Sequence, residues 1–410
     1  MIKIQKDNAI NLLKKNGPPI IVVAAVQETE AVINSCTENG IIVKGVCDSF
    51  KEKTLQPFFG LEVFHTPELP KYFSKARFII ASQHVQECAD QLTDLGYNDF
   101  FSPLNLIQDY DVDKHHHSVS SEYMKSRLAT CKKSHELYFD TSKTYMRSLD
   151  VMTTTRCSLK CKNCSNLMQY YKNPENTDGE EILNALNIIH ENVDHISEYR
   201  VIGGEPLMNR DWAKIVRSIN EKNPEQNIFI YTNGTIAPKE EQLESFQSKN
   251  INFIITDYGS LSRNIETMVE RLQKFNIGFS RDPAEYWIDC SNIKHHKRST
   301  KDLTEVFKQC CVKYVYTLLE GRLYRCPFIA NAANLKAIPN NPANYVDIFN
   351  NDNIKNDIKR LVKVAKFFPG CDFCYGRPYD PSSSLGYDGR GMIAPGEQVS
   401  KPMAYKVYDK

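Results

Sequence analysis

Apolar residues fall in two rhythms along this chain. Ile20 to Val26, introduced by Pro18-Pro19, is apolar at nearly every position. A strand of that kind has both faces covered. Ala31, Val32, Ile33 and Cys36 then share one side of a helix, which Gly40 ends. Ile41 to Cys47, closed by Asp48, predicts a second strand, and Ala76 to Ala81 a third. A helix follows through Leu92 and stops at Gly96. Unalternated strands separated by amphipathic helices predict a parallel sheet, here over residues 17 to 105.

The same rhythm returns from Ser148. Strands are predicted over Leu149–Thr155, Tyr199–Ile202, Ile228–Tyr231 and Ile251–Thr256. Ile182, Leu183, Leu186, Ile189 and Val193 mark one helix face, with Asp178 placed to cap its N-terminus and Glu181 three residues later. Trp212, Ile215, Val216 and Ile219 mark the next helix. Leu243 to Phe246 lies in another, and Met268, Val269 and Leu272 in a fourth. Repeated strand–helix units predict a parallel sheet curling into a full or partial barrel, with its chemistry at the C-terminal strand ends.

Two stretches break the pattern. Residues 106 to 146 are polar, with Asp111, Asp113 and the run His115-His116-His117. They predict a solvated linker and then a charged helix from Glu122 to Leu137. From about 375 the chain is rich in Gly, Pro and Ser and predicts an irregular tail. A formal net charge of +1 gives no electrostatic reason to expect nucleic acid or a membrane as partner. No apolar run approaches a membrane span, and Met1 to Lys15 lacks the apolar core of a secretory signal, so the expected location is cytoplasmic. Thirteen cysteines, an odd number, then point to metal or redox chemistry before disulfides.

Cysteine spacing sharpens that expectation. The strand Leu149–Thr155 runs through Arg156 into Cys157-Ser158-Leu159-Lys160-Cys161-Lys162-Asn163-Cys164, a C-x3-C-x2-C pattern. Three thiolates on one loop can hold three irons of a [4Fe–4S] cluster and leave the fourth iron open. A zinc knuckle or three buried thiols are the alternatives on spacing alone. Gly203-Gly204-Glu205-Pro206 ends the next strand, and Tyr231-Thr232-Asn233-Gly234-Thr235 the one after. In this order, each at a strand end, the three segments resemble the motifs of the radical S-adenosylmethionine (SAM) family. The resemblance implies that the open iron binds SAM. It implies that Gly203, Gly204, Glu205 and Pro206 hold the SAM amino group, and that Asn233 lies near its ribose or carboxylate. It also implies reductive cleavage of SAM to a 5′-deoxyadenosyl radical, with electrons from a reductant such as flavodoxin or ferredoxin. The family often has an aromatic residue before the third cysteine; here it is Asn163. Asp257 and Arg281 are further candidates for SAM contacts, or structural polar residues.

A second group of cysteines follows. Nine residues separate Cys311 from Gly321, four more lead to Cys326, and Cys371-Asp372-Phe373-Cys374 supplies a closing pair. The segment predicts a hairpin, Tyr314–Leu319 and Arg322–Tyr324 turning at Glu320-Gly321, and a helix from Asn353 to Lys366 that returns the last pair. Four thiolates also suit zinc. The pattern resembles the SPASM and twitch extensions of the same family. No cysteine follows Cys374, which favours the shorter twitch form. The resemblance implies an auxiliary [4Fe–4S] cluster on Cys311, Cys326, Cys371 and Cys374, with the adjacent Cys310 as alternative to Cys311. Cys290, between barrel and extension, is either a catalytic proton or hydrogen-atom donor or a core thiol. Cys36, Cys47, Cys88 and Cys131 are expected as ordinary core or surface thiols.

The N-terminal sheet resembles the Rossmann-like domain of sugar acyltransferases at residues 42–48, 60–63, 67–69 and 78–82. Its first turn, Val26-Gln27-Glu28-Thr29, has no glycine for a pyrophosphate to approach. The expected organisation is of the α/β class: a Rossmann-like domain (1–110), a linker (111–147), a partial (β/α)6 barrel (148–300), a twitch-type iron–sulfur domain (301–380) and an irregular tail (381–410). The expected function is a radical SAM oxidoreductase or lyase that abstracts hydrogen from a small carbohydrate or nucleotide-sugar-type substrate. Dehydrogenation, dehydration and epimerisation all fit. A peptide-modifying maturase is the second reading, and a non-catalytic iron–sulfur or zinc interaction protein the third.

Overall fold

The computed structural model describes residues 4–5, 9–140, 142–246, 250–378, 387, 389–400 and 402–408. The chain forms two compact units, residues 1–143 and 144–410.

The first unit is built on a sheet of β1 (Ile4–Gln5), β2 (Ile20–Val23), β3 (Val43–Asp48), β4 (Val63–His65), β5 (Arg77–Ile80) and β6 (Phe100–Phe101). The strand order is β1-β6-β5-β2-β3-β4, and the pairings are parallel. Ile20 and Val22 face one apolar layer with Ala31, Val32 and Cys36, while Ile21 and Val23 face another with Val85, Ala89 and Leu92. Burial on both faces is why β2 shows no polar alternation. The strand ends at Val23 rather than Val26. Ala24 turns away with φ 78° and donates its N–H to Cys47 O at 2.7 Å. Ala25 N–H donates to Asp48 Oδ2 at 2.8 Å, and Lys53 pairs with the same carboxylate at 3.3 Å. The Ala24 and Ala25 amides at this turn, which a phosphate could otherwise use, are thus taken by the chain itself.

The expected linker at 111–147 is corrected. Helix Ser121–Phe139 belongs to the first unit and buries Met124, Leu128, Cys131 and Leu137. Met124, Leu128 and Cys131 join the layer that holds Ala31 and Val32. Charged residues between them masked this narrow stripe in the sequence. Nor is the histidine run solvated throughout. His117 is buried with Nδ1 3.5 Å from a Glu30 carboxylate oxygen, and His115 stacks on Tyr110 with ring centres 5.0 Å apart.

The second unit contains β7 (Tyr145–Met152), β8 (His195–Ile202), β9 (Asn227–Thr232), β10 (Ile251–Asp257), β11 (Gly278–Pro283), β12 (Trp287–Ile288), β13 (Val315–Leu319), β14 (Arg322–Tyr324), β15 (Tyr345–Asp347) and β16 (Met392–Ile393). Strands β7 to β11 lie side by side in chain order and are parallel. Helices Gly179–Asn192, Trp212–Lys222, Glu240–Leu243 and Ile265–Lys274 connect them. Asp178 caps the first by accepting from Glu180 N at 2.9 Å and Glu181 N at 3.0 Å.

The class is α/β, as expected, but the partial barrel is put together differently. The sixth parallel strand is β13, and it pairs with β7 instead of β11. Strands β14 and β15 extend the same sheet antiparallel. Residues expected as a separate domain from 301 therefore continue the barrel sheet. The reason is burial: Val315 to Leu319 is buried at every position, as an interior strand must be. Glu320 and Gly321 turn the hairpin with φ 50° and 65°, the left-handed values of a two-residue connection. The returning helix is shorter than expected, Ile354–Lys359, and runs into a π-helical turn over Arg360–Val364.

Strand register separates two faces. Leu149 lies beside Tyr199, which lies beside Ile228; this face packs on the helices. Trp212 from one helix meets Phe246 and Phe253 with ring centres at 5.6 and 6.0 Å. The opposite face is polar. Ser148 lies beside Glu198, and Asp150 beside Arg200 and Thr317. Alternate residues of a strand point to opposite sides, so this polar row is as much a product of the register as the core is.

The expected irregular tail is also corrected. Residues 379–386, 388, 401, 409 and 410 lie outside the described residues. Of the rest, β16 pairs with β12, Met403 N–H donates to Gln169 O at 2.8 Å, and Tyr408 N–H donates to Lys336 O at 2.8 Å. Gly and Ser content concealed these long-range backbone pairings. Among the described residues, no helix is long and apolar enough to cross a membrane.

Candidate functional site

The cysteine loop leaves β7 at its C-terminal end. Thr154 Oγ1 accepts from Arg156 N at 2.9 Å, which turns the chain out of the strand. Cys161 is buried and Cys157 and Cys164 half-buried; all three are free thiols. Burial pushes Cys164 up to about 11 and raises Cys157 further, with Cys164, Glu205 and Cys161 adding to the effect on Cys157. Side-chain amides approach two of the sulfurs. Asn233 Nδ2 donates to Cys157 Sγ at 3.6 Å, and Gln398 Nε2 donates to Cys161 Sγ at 3.2 Å. Donors aimed at sulfur suit thiolates that ligate iron.

Gly203 and Gly204 follow β8. A Cβ on Gly203 would stand 2.5 Å from Thr154 O, and one on Gly204 2.3 Å from Arg156 O and 2.7 Å from Cys157 Cβ. Gly204 N–H donates to Thr154 O at 2.9 Å and Glu205 N–H to Arg156 O at 2.8 Å. These glycines let the strand end lie flat against the cysteine loop. The sequence pointed to close approach of a ligand; the structure shows close approach of the chain to itself.

Glu205 is fully buried and ties two motifs together. Its Oε1 accepts from Thr232 Oγ1 at 2.9 Å and Leu207 N at 3.2 Å, and its Oε2 from Asn233 N at 2.8 Å. Burial pushes the carboxyl up to about 7, while the hydrogen bonds from Asn233, Thr232 and Leu207 act in the opposite direction. Pro206 begins a short 3-10 turn over Pro206–Met208 and is buried. Asn233 Nδ2 also donates to Ser158 Oγ at 3.2 Å, and Ser158 bonds Thr235. The three motifs thus form one hydrogen-bonded group at adjacent strand ends.

Other sequence candidates are engaged with different partners. Arg281 is spent on carboxylates, with 2.9 Å contacts to Asp257 and to Glu266. Asn163 accepts from Arg390 at 2.9 Å. Tyr258, which sequence reasoning did not single out, stands just beyond β10. Burial raises its hydroxyl strongly, and Cys161, Cys164 and Cys157 raise it further. Its position at a strand end was the available signal.

The second group of thiols gathers as well. Cys310, Cys326, Cys371 and Cys374 line one cavity, together with Arg325 and Arg377. Cys311 is not among the residues that line it, and its backbone N–H donates to Arg377 O at 2.7 Å. Cys326 Sγ accepts from Ile329 N at 3.5 Å at the start of helix Pro327–Asn334, and Cys374 Sγ accepts from Gly376 N at 3.3 Å. Cys290 is 1% exposed, and burial pushes it up to about 11, with Cys311 and Cys326 among the groups acting on it. It belongs beside this group and not on an open surface. Among the described residues, no three His, Cys, Asp or Glu side chains are gathered tightly enough for a single metal ion. A cubane makes a different demand, one thiolate at each iron.

On the polar face, Asp150 Oδ1 stands 2.9 Å from Arg200 Nε, and burial pushes the carboxyl up to about 6. Arg200 also lies 4.9 Å from the centre of the Tyr231 ring. Buried Ser148 Oγ and Thr317 Oγ1 have no hydrogen-bond partner among the described residues.

Comparison with known proteins bears on the first group. Residues 151–281 match the profile of the radical SAM superfamily. A probable GTP 3′,8-cyclase of Methanocella arvoryzae is 30% identical over 122 residues, covering 30% of this chain and 37% of the relative. The GTP 3′,8-cyclase of Alkaliphilus metalliredigens is 29% identical over 169 residues, covering 35% and 52%. The chain therefore spans between about a third and a half of these relatives. Among solved structures, BtrN in complex with AdoMet and 2-DOIA aligns at 16% identity with a TM-score of 0.36, covering 57% of this chain and 94% of that one. Streptococcus suis SuiB bound to S-adenosylmethionine aligns at 13% with a TM-score of 0.32, covering 66% and 82%. The matched residues run from within β7 to within β11 and contain the cysteine loop, Gly203 to Pro206 and Asn233. Proteins of this superfamily bind a [4Fe–4S] cluster and SAM, and residues 151–281 of this chain are a radical SAM domain.

Proposed function

We propose that the chain is a radical SAM enzyme acting on a hydroxyl-rich small molecule, a carbohydrate or nucleotide-sugar-type substrate. Cys157, Cys161 and Cys164 would hold the SAM-binding cluster, with Gly203, Gly204, Glu205, Pro206 and Asn233 shaping the place for SAM beside it. When bound, that pair supplies one-electron cleavage of SAM and a 5′-deoxyadenosyl radical that takes a hydrogen atom from the substrate. Electrons would come from a reductant such as flavodoxin or ferredoxin. Glu205 acts as a positioning residue, because its carboxylate holds Thr232 and the Asn233 backbone in place.

The observation that carries the substrate class is the polar face. Buried Ser148, Asp150 and Thr317 and half-buried Arg200 present polar groups on this face. An unpaired buried hydroxyl costs on the order of 1–3 kcal/mol, and a substrate with several hydroxyls would pair them. The curated relatives are named for a reaction of GTP, itself a ribose-containing nucleotide. The fate of the substrate radical, once hydrogen is abstracted, decides between oxidation, dehydration and epimerisation.

Cys310, Cys326, Cys371 and Cys374 would hold the auxiliary [4Fe–4S] cluster. This reading exchanges Cys311 for its neighbour. Both spacings suit the motif, but only Cys310 lines the cavity. Anaerobic reconstitution tests the whole reading. Two clusters amount to about eight irons per chain. Cys157→Ala and Cys310→Ala are each expected to lose about half of them, and Cys311→Ala to keep them. The wild-type protein is expected to form 5′-deoxyadenosine from SAM, faster when a nucleotide sugar is present. A protein that holds only zinc, or leaves SAM intact under reductant, overturns the enzyme reading. Stimulation by peptides alone overturns the substrate class.

A further inference from the structure

The segment Gly396–Val399 lies along the cysteine loop, joined to it by a β-bridge. Lys162 N–H donates to Glu397 O at 2.7 Å, and Val399 N–H donates to Lys160 O at 2.9 Å. Cys161 and Gln398 are the paired residues between them, in antiparallel register. Lys162 Nζ stands 3.0 Å from Glu397 Oε1, and Arg390 NH2 donates to Asn163 Oδ1 at 2.9 Å. The chain reaches this place through β16, which is paired with β12.

Gln398 uses both ends of its amide. Its Oε1 accepts from Lys160 N at 2.6 Å, and its Nε2 donates to Cys161 Sγ at 3.2 Å and to Gly396 O at 2.8 Å. No hydrocarbon or carboxylate side chain can make that set, because it needs an acceptor and a donor two bonds apart. Gly396 itself has φ 93°, and a Cβ there would stand 3.3 Å from the Tyr258 ring. The segment therefore touches both the cysteine loop and Tyr258, and Cys161 is 7% exposed beneath it.

We propose that this C-terminal segment is part of the cluster site: it covers the cysteine loop, and Gln398 sets the reduction potential through its hydrogen bond to Cys161. The proposal rests on the reading of Cys157, Cys161 and Cys164 as cluster ligands. An N–H directed at a ligating sulfur favours the reduced, more negative cluster and so raises the potential. Gln398 is a positioning residue here, acting through Cys161 and touching no substrate.

Two measurements test it. In the metal-free protein, iodoacetamide should alkylate Cys161 slowly, read by peptide mass. Val399→Pro removes the N–H that bonds Lys160 and leaves Gln398 in the sequence. It is expected to speed alkylation of Cys161 by roughly tenfold, the equivalent of one lost hydrogen bond. In the reconstituted protein, Gln398→Glu keeps the acceptor for Lys160 and loses the donor to sulfur. A roughly tenfold loss in the ease of reduction corresponds to a midpoint lower by about 59 mV for one electron, followed by electron paramagnetic resonance. Gln398→Leu should move it the same way. An unchanged alkylation rate in Val399→Pro overturns the covering role. An unchanged midpoint in Gln398→Glu, at wild-type iron content, overturns the role of Gln398. Failure of the wild-type protein to take up iron would count against the cluster reading itself, and the alkylation result would still decide the cover.

Discussion

Gly204→Ala is expected to disable the first cysteine site by packing alone. The added methyl would stand 2.3 Å from Arg156 O, 2.6 Å from Arg156 C and 2.7 Å from Cys157 Cβ. Real contacts of this kind do not fall below 3.0 Å, so the carbonyl contact must open from 2.3 Å to at least that distance. The obstacle is backbone, not the free end of a side chain, and it is anchored by Gly204 N–H to Thr154 O and Glu205 N–H to Arg156 O. Overpacking costs about 1–3 kcal/mol. Weakening either hydrogen bond adds about 1 kcal/mol. For a unit of this size, a loss of about 2–4 kcal/mol lowers Tm by roughly 4–16 °C. Since Cys157 Cβ is one of the blocked atoms, iron uptake at the first site should fall along with it. Calorimetry and iron analysis read the two effects. A Gly204→Ala protein that melts within a degree of wild type and takes up its full iron would refute the argument that these glycines exist for the contact between strand end and cysteine loop.

Two further outcomes concern charge. His135 is fully buried, with Nδ1 3.1 Å from Ser102 Oγ and Nε2 3.1 Å from Ser82 O, and burial pushes it from 6.5 down to about 4. A histidine with a depressed folded value stabilises the fold above its unfolded value, and that stability is lost as pH falls from 6.5 toward 4. The full loss is about 3 kcal/mol. It is checked by urea titration at several pH values, read by alkylation of Cys131 in the same unit, and His135→Gln should flatten the dependence over that window. Arg281→Ala, whose guanidinium is spent on Asp257 and Glu266 at an exposed edge, is expected to leave Tm and SAM affinity unchanged. A severalfold rise in the SAM dissociation constant by calorimetry would restore Arg281 as a SAM contact.

Range along the chain decided which features were legible in the sequence. Hydrophobic rhythm located the strands from β7 to β10 to within a few residues, because one buried face repeats every second position and helices every three or four. Strands β1 and β6 have two residues each, too few to show a period. Strand β11 was missed for another reason: it is an edge strand, exposed or half-exposed along its length, with no apolar face to read. The first cysteine group was legible as local spacing. The bond from Glu205 to Thr232 and Asn233 was not, although all three residues were singled out, because motifs report order along the chain and not which strand ends become neighbours.

Two features with chemical weight lay outside what pattern can carry, for one reason. Nine residues separate Cys311 from Gly321 and ten separate Cys310 from it, and the nine-residue spacing favours Cys311, with Cys310 as alternative. Cys310 closes helix Thr300–Gln309 with φ −69° and ψ 119°, an extended conformation in which successive side chains leave on opposite sides. Adjacent thiols on such backbone point in different directions, and of the two Cys310 lines the cavity with Cys326, Cys371 and Cys374. Gln398 lies 237 residues from Cys161, in a segment whose Gly and Ser content reads as tail. In both cases the information is direction, which a one-dimensional pattern carries only inside a regular element. Helices and strands impose a direction on every side chain; turns and chain ends take theirs from whatever they pack against. The residues that position the sulfurs lie on turns and on the irregular C-terminal segment, so the sulfur ligands can be read from spacing while the groups that tune them cannot.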